Sequence, residues 1–224
     1  MGPPTPYPAT PQVQSQSQPQ PQPRKRSRLV DAIVEIGTTV GLAVVLYLVI
    51  TTFVVQTFRV EQRSMLDTLQ PQEHLLIDKL TPRFDEYSRG DIIVFHPNGE
   101  RDNTPFIKRV IGLGGEHVQI RGGAVWIDGV RLDEAAYTYR DPLTGENEPT
   151  RPTSNDSEWD VPDGAFWVLG DHREESTDSR SGRVGFVDVE DVVGRAWLRF
   201  FPLGSLGLIE TPSYASLDVA SDQD

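Results

Sequence analysis

From Ile36 to Phe58 the chain carries no charged residue, and Leu, Val, Ile, Ala, Thr, Phe and Tyr dominate it. At about 1.5 Å of rise per residue, a helix of this length crosses a hydrocarbon layer of ~30 Å with some tilt. No other stretch of the sequence matches it in length and apolarity. A cleaved secretory signal would have a shorter apolar region, about 7–15 residues, and a small-residue cleavage pattern behind it. Here Arg59, Val60, Glu61 and Gln62 follow instead. The segment 29–58 therefore reads as a retained transmembrane anchor. Arg24, Lys25, Arg26 and Arg28 lie just ahead of it, and the positive-inside rule keeps that end in the cytoplasm and puts the rest outside the cell. Ser64 follows the last apolar residue so closely that it is expected to work near a membrane surface.

Charge is divided unevenly about the anchor. The formal net charge is −12; the four basic residues against Asp31 and Glu35 make the part before Arg59 positive, so the outer part is strongly acidic. Such a surface repels phosphate backbones, and nucleic acid is not an expected partner. With no cysteine, disulfides, thiol catalysis and cysteine-ligated zinc are excluded. His74, His96, His117 and His172 are widely separated, with no metal-ligand spacing among them, so neither a metal nor another cofactor is expected.

Along the chain, residues 1–28 form a tail rich in Pro, Gln, Ser and Thr, too polar to bury a core and expected to be disordered. Beyond the anchor, short runs rich in Val, Ile and Leu alternate with Gly- and Pro-containing turns, the pattern of a mainly β domain. Strands are expected at Phe58–Val60, His74–Lys79, Asp91–Phe95, Phe106–Leu113, Ala165–Leu169 and Val192–Phe201. His117–Ile120 and Ala124–Ile127 read as a hairpin turned by Gly122-Gly123, and Asp128-Gly129 turns the chain toward Val130. Asp141–Asp156 reads as a surface loop. Past Glu210 the residues are polar and acidic, so 211–224 is expected to be a disordered tail.

Three stretches offer chemistry. Ser64, taken alone, reads as a capping or turn residue, the usual role of a serine in such a loop. In FIKRVIG, period-two alternation sets Phe106, Lys108 and Val110 on one face and Ile107, Arg109 and Ile111 on the other. Both faces are apolar, so at least one charge is partly buried. A buried lysine without a partner favours its neutral form, a general base; one paired with a carboxylate does not. The run LGDHREESTDSR, residues 169–180, reads by residue type as an exposed polar loop with internal ion pairs such as Asp178 with Arg180. A hydroxyl and a neutral lysine suffice for acyl transfer if an oxyanion hole accompanies them.

Taken together and in order, SMLDTL, RGDIIVF, FIKRVIGLGG, VWIDGVRLDE, VPDGAFWVLGDHREESTDSR and GFVDVEDVVGRAWLRFFPL behind an N-terminal anchor resemble the bacterial type I signal peptidases, or leader peptidases. The resemblance implies a serine endopeptidase with Ser64 as nucleophile and Lys108 as general base. It implies that the Ser176 hydroxyl helps orient the lysine and that Asp178 and Arg180 form a bracing ion pair. Phe58, Val60, Met65, Leu69 and Ile107 fall where the family lines pockets for the small side chains of an Ala-X-Ala motif. The implied fold is an antiparallel β catalytic core, 59–210, with a smaller inserted β subdomain at about 119–159. Implied partners are preprotein signal peptides, membrane lipid and the secretion translocon. Four positions depart from the family pattern. Asp67 replaces a proline after the nucleophile, His172 an asparagine, Gly114 a frequent proline, and Gln62 a serine that donates to the oxyanion in many members. The Gln62 amide could donate in its place, or backbone N–H groups could serve alone.

Two other readings fit parts of the chain. A catalytically silent, membrane-tethered binding module would share the fold but not need the Ser64 and Lys108 that are present. A self-cleaving repressor-type protease would share the chemistry, but the anchor and the acidic outer part argue against a DNA-binding protein.

Overall fold

In the computed structural model, which describes Gly2, residues 28–80 and residues 86–214, the chain divides into two units, 1–45 and 46–224. The N-terminal tail expected to be disordered lies outside the described residues, apart from Gly2 and from Arg28, which opens helix α1 (Arg28–Val49). The helical path runs on through a π-type turn at Ile50–Val54. Leu29–Val54 is long and apolar enough to cross a membrane. The large apolar side chains from Leu29 to Phe53 are exposed. Three of its threonines turn their hydroxyls back onto the helix: Thr38 and Thr39 donate to the Glu35 carbonyl at 2.9 Å, and Thr51 to that of Tyr47 at 2.9 Å.

The helix stops short of the Phe58 limit. Val55–Arg59 is strand β1, paired antiparallel with β2 (His74–Asp78) from Val55 opposite Asp78 to Arg59 opposite His74. Val55 and Phe58 are half-buried and the residues around them exposed, so a β-branched and an aromatic residue are spent on a sheet rather than on lipid.

Among the described residues twelve strands form two antiparallel sheets. The larger contains β1, β2, β11 (Val192–Phe201), β3 (Ile92–Phe95), β4 (Phe106–Gly112), β9 (Ala165–Leu169) and β10 (Val187–Asp188) in that order, with β12 (Gly207–Leu208) also on β11. The smaller has the order β7 (Val130–Arg131), β6 (Ala124–Ile127), β5 (His117–Arg121), β8 (Glu158–Asp160). β4 and β9 are neighbours in the large sheet, and the whole small sheet lies between them in sequence, so it is an insertion at 117–160. Gly122 and Gly123, both at positive φ, make the two-residue turn that joins β5 to β6.

Period-two alternation distributes the core. In β3, Ile92 and Val94 pack with Val60, Met65, Leu69 and Ile107, whereas Ile93 and Phe95 pack with Val110, Phe166 and Val168. Trp167 and Leu169 of β9 turn to a third cluster with Val118, Val125 and Ile127 of the small sheet. That cluster also holds Tyr214. The expectation of a frayed end past Glu210 therefore fails for residues 211–214. Tyr214 donates to the Tyr137 hydroxyl at 3.2 Å, and Thr211 to Asp91 Oδ1 at 2.8 Å. An aromatic ring with an apolar cluster to enter outweighs its polar neighbours; residues 215–224 lie outside the described ones.

Candidate active site

Ser64 sits where the chain leaves the edge of the large sheet. Val60 continues the β1 pairing through its N–H to the Glu73 carbonyl at 2.9 Å and its carbonyl to Gln72 N at 2.7 Å. The chain then coils into a turn, with Leu66 N on Arg63 O and Leu69 N on Met65 O. Met65 and Leu69 enter the apolar cluster and hold this turn down, leaving Ser64 only 2 % exposed. The Ser64 carbonyl accepts the His172 N–H at 3.0 Å, while none of the backbone hydrogen bonds among the described residues uses the Ser64 N–H.

Lys108 reaches this turn from β4. It is 1 % exposed, and its Nζ donates to Ser64 Oγ at 2.7 Å and to the Ile107 carbonyl at 2.9 Å. Burial pulls the ammonium down to about 8; Asp178 and Asp171 pull the other way but do not touch it and do not restore the ordinary value. The next residue, Arg109, is equally buried and differently served. Its Nε and Nη2 donate to Asp171 at 2.8 and 2.7 Å, and its Nη1 to the Gly90 carbonyl at 2.7 Å. Burial works against the Arg109 charge, but the Asp171 carboxylate outweighs it and the net shift is upward. Of the two charges that alternation places on β4, Arg109 is paired with a carboxylate and Lys108 is paired with a hydroxyl.

The run 169–180 is not the exposed loop its residue types suggest. Asp171, His172, Arg173, Asp178, Ser179 and Arg180 are all buried. They reach this because their partners come from elsewhere as well as from the run itself. Asp171 takes Arg109 and the Thr68 hydroxyl; Arg173 takes Glu134 and the Gly170 carbonyl, the latter at 3.0 Å. Asp178 and Arg180 do pair, through two bonds of 2.8 Å, and Asp178 Oδ2 also accepts the Gly170 N–H at 3.1 Å. Gly170 is required by space. A Cβ there would meet Ser176 Oγ at 2.2 Å and the Ser64 carbonyl oxygen at 2.5 Å.

The remaining candidate residues are placed as follows. Phe58, Val60, Met65, Leu69 and Ile107 meet in one cluster, and Val60, Met65 and Leu69 are wholly enclosed in it. Ser176 lies against Gly170, but its Oγ makes no hydrogen bond, so the expected bond to Lys108 is not formed; Nζ is already served by Ser64 and Ile107. Gln62 stands on the exposed side of the turn. Asp67, in place of a proline, ties its carboxylate to the Arg140 N–H at 3.1 Å. Among the described residues no group of His, Asp and Glu side chains is arranged to hold a metal ion. Asp171, Glu134, Arg173 and Gly170 are not singled out by the sequence. Their signal is the density of charge in a run flanked by apolar strands, which only a fold can pair off.

The site can therefore do one kind of chemistry without outside help: a hydroxyl hydrogen-bonded to a lysine that sheds its proton near neutral pH is an activated nucleophile. Residues 33–201 match the family model described as signal peptidase, peptidase S26. A protein named signal peptidase I from Leptolyngbya laminosa is 41% identical over 186 residues, which cover 79% of this chain and 84% of that one. A probable signal peptidase I-2 from Synechocystis sp. is 37% identical, covering 78% and 76%. A signal peptidase I from Bacillus licheniformis is 34% identical, covering 74% and 87%.

Proposed function

Because the chain belongs to the peptidase S26 family of signal peptidases, we propose that it is a membrane-anchored serine endopeptidase that removes signal peptides from exported preproteins, with Ser64 as nucleophile and Lys108 as general base. The observation that supports this most is the 2.7 Å contact between Lys108 Nζ and Ser64 Oγ in a buried site.

Neutral Lys108 accepts the Ser64 proton as Oγ bonds to the scissile carbonyl carbon, whose π electrons move to oxygen. The oxyanion is met by the uncommitted Ser64 N–H, with the Gln62 amide as a further donor if it turns inward. The Lys108 ammonium then gives its proton to the departing amine nitrogen, and the C–N bond breaks to leave an ester on Ser64. Water, deprotonated by Lys108, hydrolyses that ester and frees the serine. No metal or cofactor enters any step.

Supporting roles follow from contact. The Asp178–Arg180 pair fixes Gly170 through its N–H. Ser176 acts through its place against Gly170 rather than through a bond to the lysine. The cluster of Phe58, Val60, Met65, Leu69 and Ile107 opens to admit the small side chains of an Ala-X-Ala motif. Leu29–Val54 holds the enzyme in the membrane with its N-terminus cytoplasmic and the peptidase unit, 59–210, outside, among lipid and beside the secretion translocon. Incubating the full chain in detergent, wild type and Ser64→Ala, with a preprotein bearing Ala-X-Ala tests the reading. Wild type yields processed product and the variant none; product from both, or from neither, overturns it.

A further inference from the structure

The dipeptide Asp171–His172 stands between two parts of the chain. On one side the Asp171 carbonyl accepts the Tyr139 N–H at 2.9 Å; on the other the His172 N–H holds the Ser64 carbonyl at 3.0 Å. Tyr139 and Glu148 belong to an arm of the insertion that folds on itself, with Glu148 N on Tyr139 O at 2.9 Å and Arg140 bridged to Asn147. The two side chains follow the same division. Asp171 grips Arg109 and Thr68, in the sheet and the nucleophile turn. The His172 ring turns to the arm: it stacks on Tyr139 with centroids 4.0 Å apart and planes at 29°, and its Nε2 lies 3.1 Å from Glu148 Oε1.

We propose that His172 is a positioning residue, whose ring clamps the Tyr139–Glu148 arm onto the main chain that holds the Ser64 carbonyl. The inference rests on the reading of Ser64 as nucleophile. Without the ring, the arm keeps its main-chain bond to Asp171 but loses the stacked face. The enclosed Glu148 also loses the donor on one oxygen, keeping Glu174 N at 3.2 Å on the other. Asp171 and His172 can then turn about their remaining bonds, and the acceptor they position is the carbonyl of the nucleophile itself. An asparagine, usual at this position in the family, can offer Glu148 a hydrogen bond but has no ring to lay on Tyr139. This chain has moved part of the clamp into an aromatic contact. Glu175, within 3.9 Å of the buried, unpartnered Nδ1 and 3.5 Å of Arg63 Nε, closes the other side of the ring.

The test is steady-state kinetics of the full chain in detergent on a preprotein bearing Ala-X-Ala, for wild type, His172→Ala, Tyr139→Ala, His172→Asn and Ser64→Ala. Misplacing a reacting group by about 1 Å costs on the order of 10²-fold in rate. His172→Ala and Tyr139→Ala are therefore each expected to lower kcat about 10- to 100-fold with KM within about threefold, and His172→Asn to recover part of the loss. A kcat within twofold of wild type in either alanine variant overturns the clamp, and so does a change confined to KM. If His172→Ala has no melting transition, Tyr139→Ala and His172→Asn decide by the same criteria. Wild-type product from Ser64→Ala removes the nucleophile and the clamp together. An inactive Ser64→Ala beside fully active alanine variants removes the clamp alone.

Discussion

Lys108 and Arg109 are consecutive in β4 and each 1 % exposed, yet a carboxylate touches only Arg109. Asp171 answers one charge with two parallel hydrogen bonds, and the other is left facing a serine hydroxyl and a carbonyl oxygen. One strand thus carries a permanent cation that fastens the site and an intermittent one that can work in it. Arginine suits the first role because it keeps its proton and forks to a carboxylate, and lysine the second because burial removes its proton.

Activity should follow the loss of that proton. With Lys108 at about 8, roughly a tenth is neutral at pH 7 and about nine tenths at pH 9, so kcat/KM is expected to rise about tenfold across that interval. Lys108→Arg keeps the charge at every working pH and should be inactive. A flat pH–rate profile from 6 to 9, or a tenth of wild-type kcat in the arginine variant, would exclude Lys108 as the base.

The same burial carries a stability cost with a definite sign. The folded state holds the Lys108 proton less tightly than the unfolded chain does, so the penalty is full below about pH 8. It is relieved as pH rises from about 8 toward about 10.5. Lys108→Met removes it and should stabilise the protein at pH 7, by at most about 3 kcal/mol. Melting temperatures of the two proteins, read as a difference against pH, should converge through that window; a constant difference would contradict the assignment.

Asp171→Ala leaves a buried guanidinium with its carboxylate gone, which typically costs about 3–5 kcal/mol. Arg109 would retain hydrogen bonds to Gly90 and Thr68 and its place over the Tyr137 ring, but no carboxylate partner. A melting temperature within about 2 °C of wild type would show that water reaches Arg109 and that the pair contributes little.

Gly170→Ala asks for room where there is none. Its Cβ would press on Ser176 and on the Ser64 carbonyl, so the nucleophile turn must shift. A loss of about 10²-fold in kcat is expected. Adding Ser176→Gly clears one contact but not the other, and should leave most of the loss in place. Full recovery in the double variant would put the constraint on Ser176 alone.

Much of the strand pattern was legible because the signals are local. The β-branched run of β3, the period of two in β4, Gly122-Gly123 between β5 and β6, and the run Val192–Phe201 each state their own conformation. Alternation also flagged both charges of β4. It could not tell which of them had a partner, since Asp171 lies 62 residues from Arg109. The polar run 169–180 misled for the same reason: Glu134, Arg109 and Thr68 bury it from a distance. At the helix end, apolar residues suit lipid and sheet alike, and only β2 decides for Val55–Phe58.

The insertion between β4 and β9 also orders events in time. Val110 and Val168 pair across roughly sixty residues, a closure that costs more entropy than any hairpin in the small sheet. Long-range pairing of this kind is slow relative to local hairpins. β5 and β6 can therefore form first and shorten the excursion, after which β9 docks on β4 and brings Gly170 and the buried run behind it. The strand that carries Lys108 has a neighbour on both edges only once β9 has docked, and burial is what lowers the Lys108 pKa. If Lys108 is the base proposed above, the ability to cleave arrives with β9, late in folding rather than at its start.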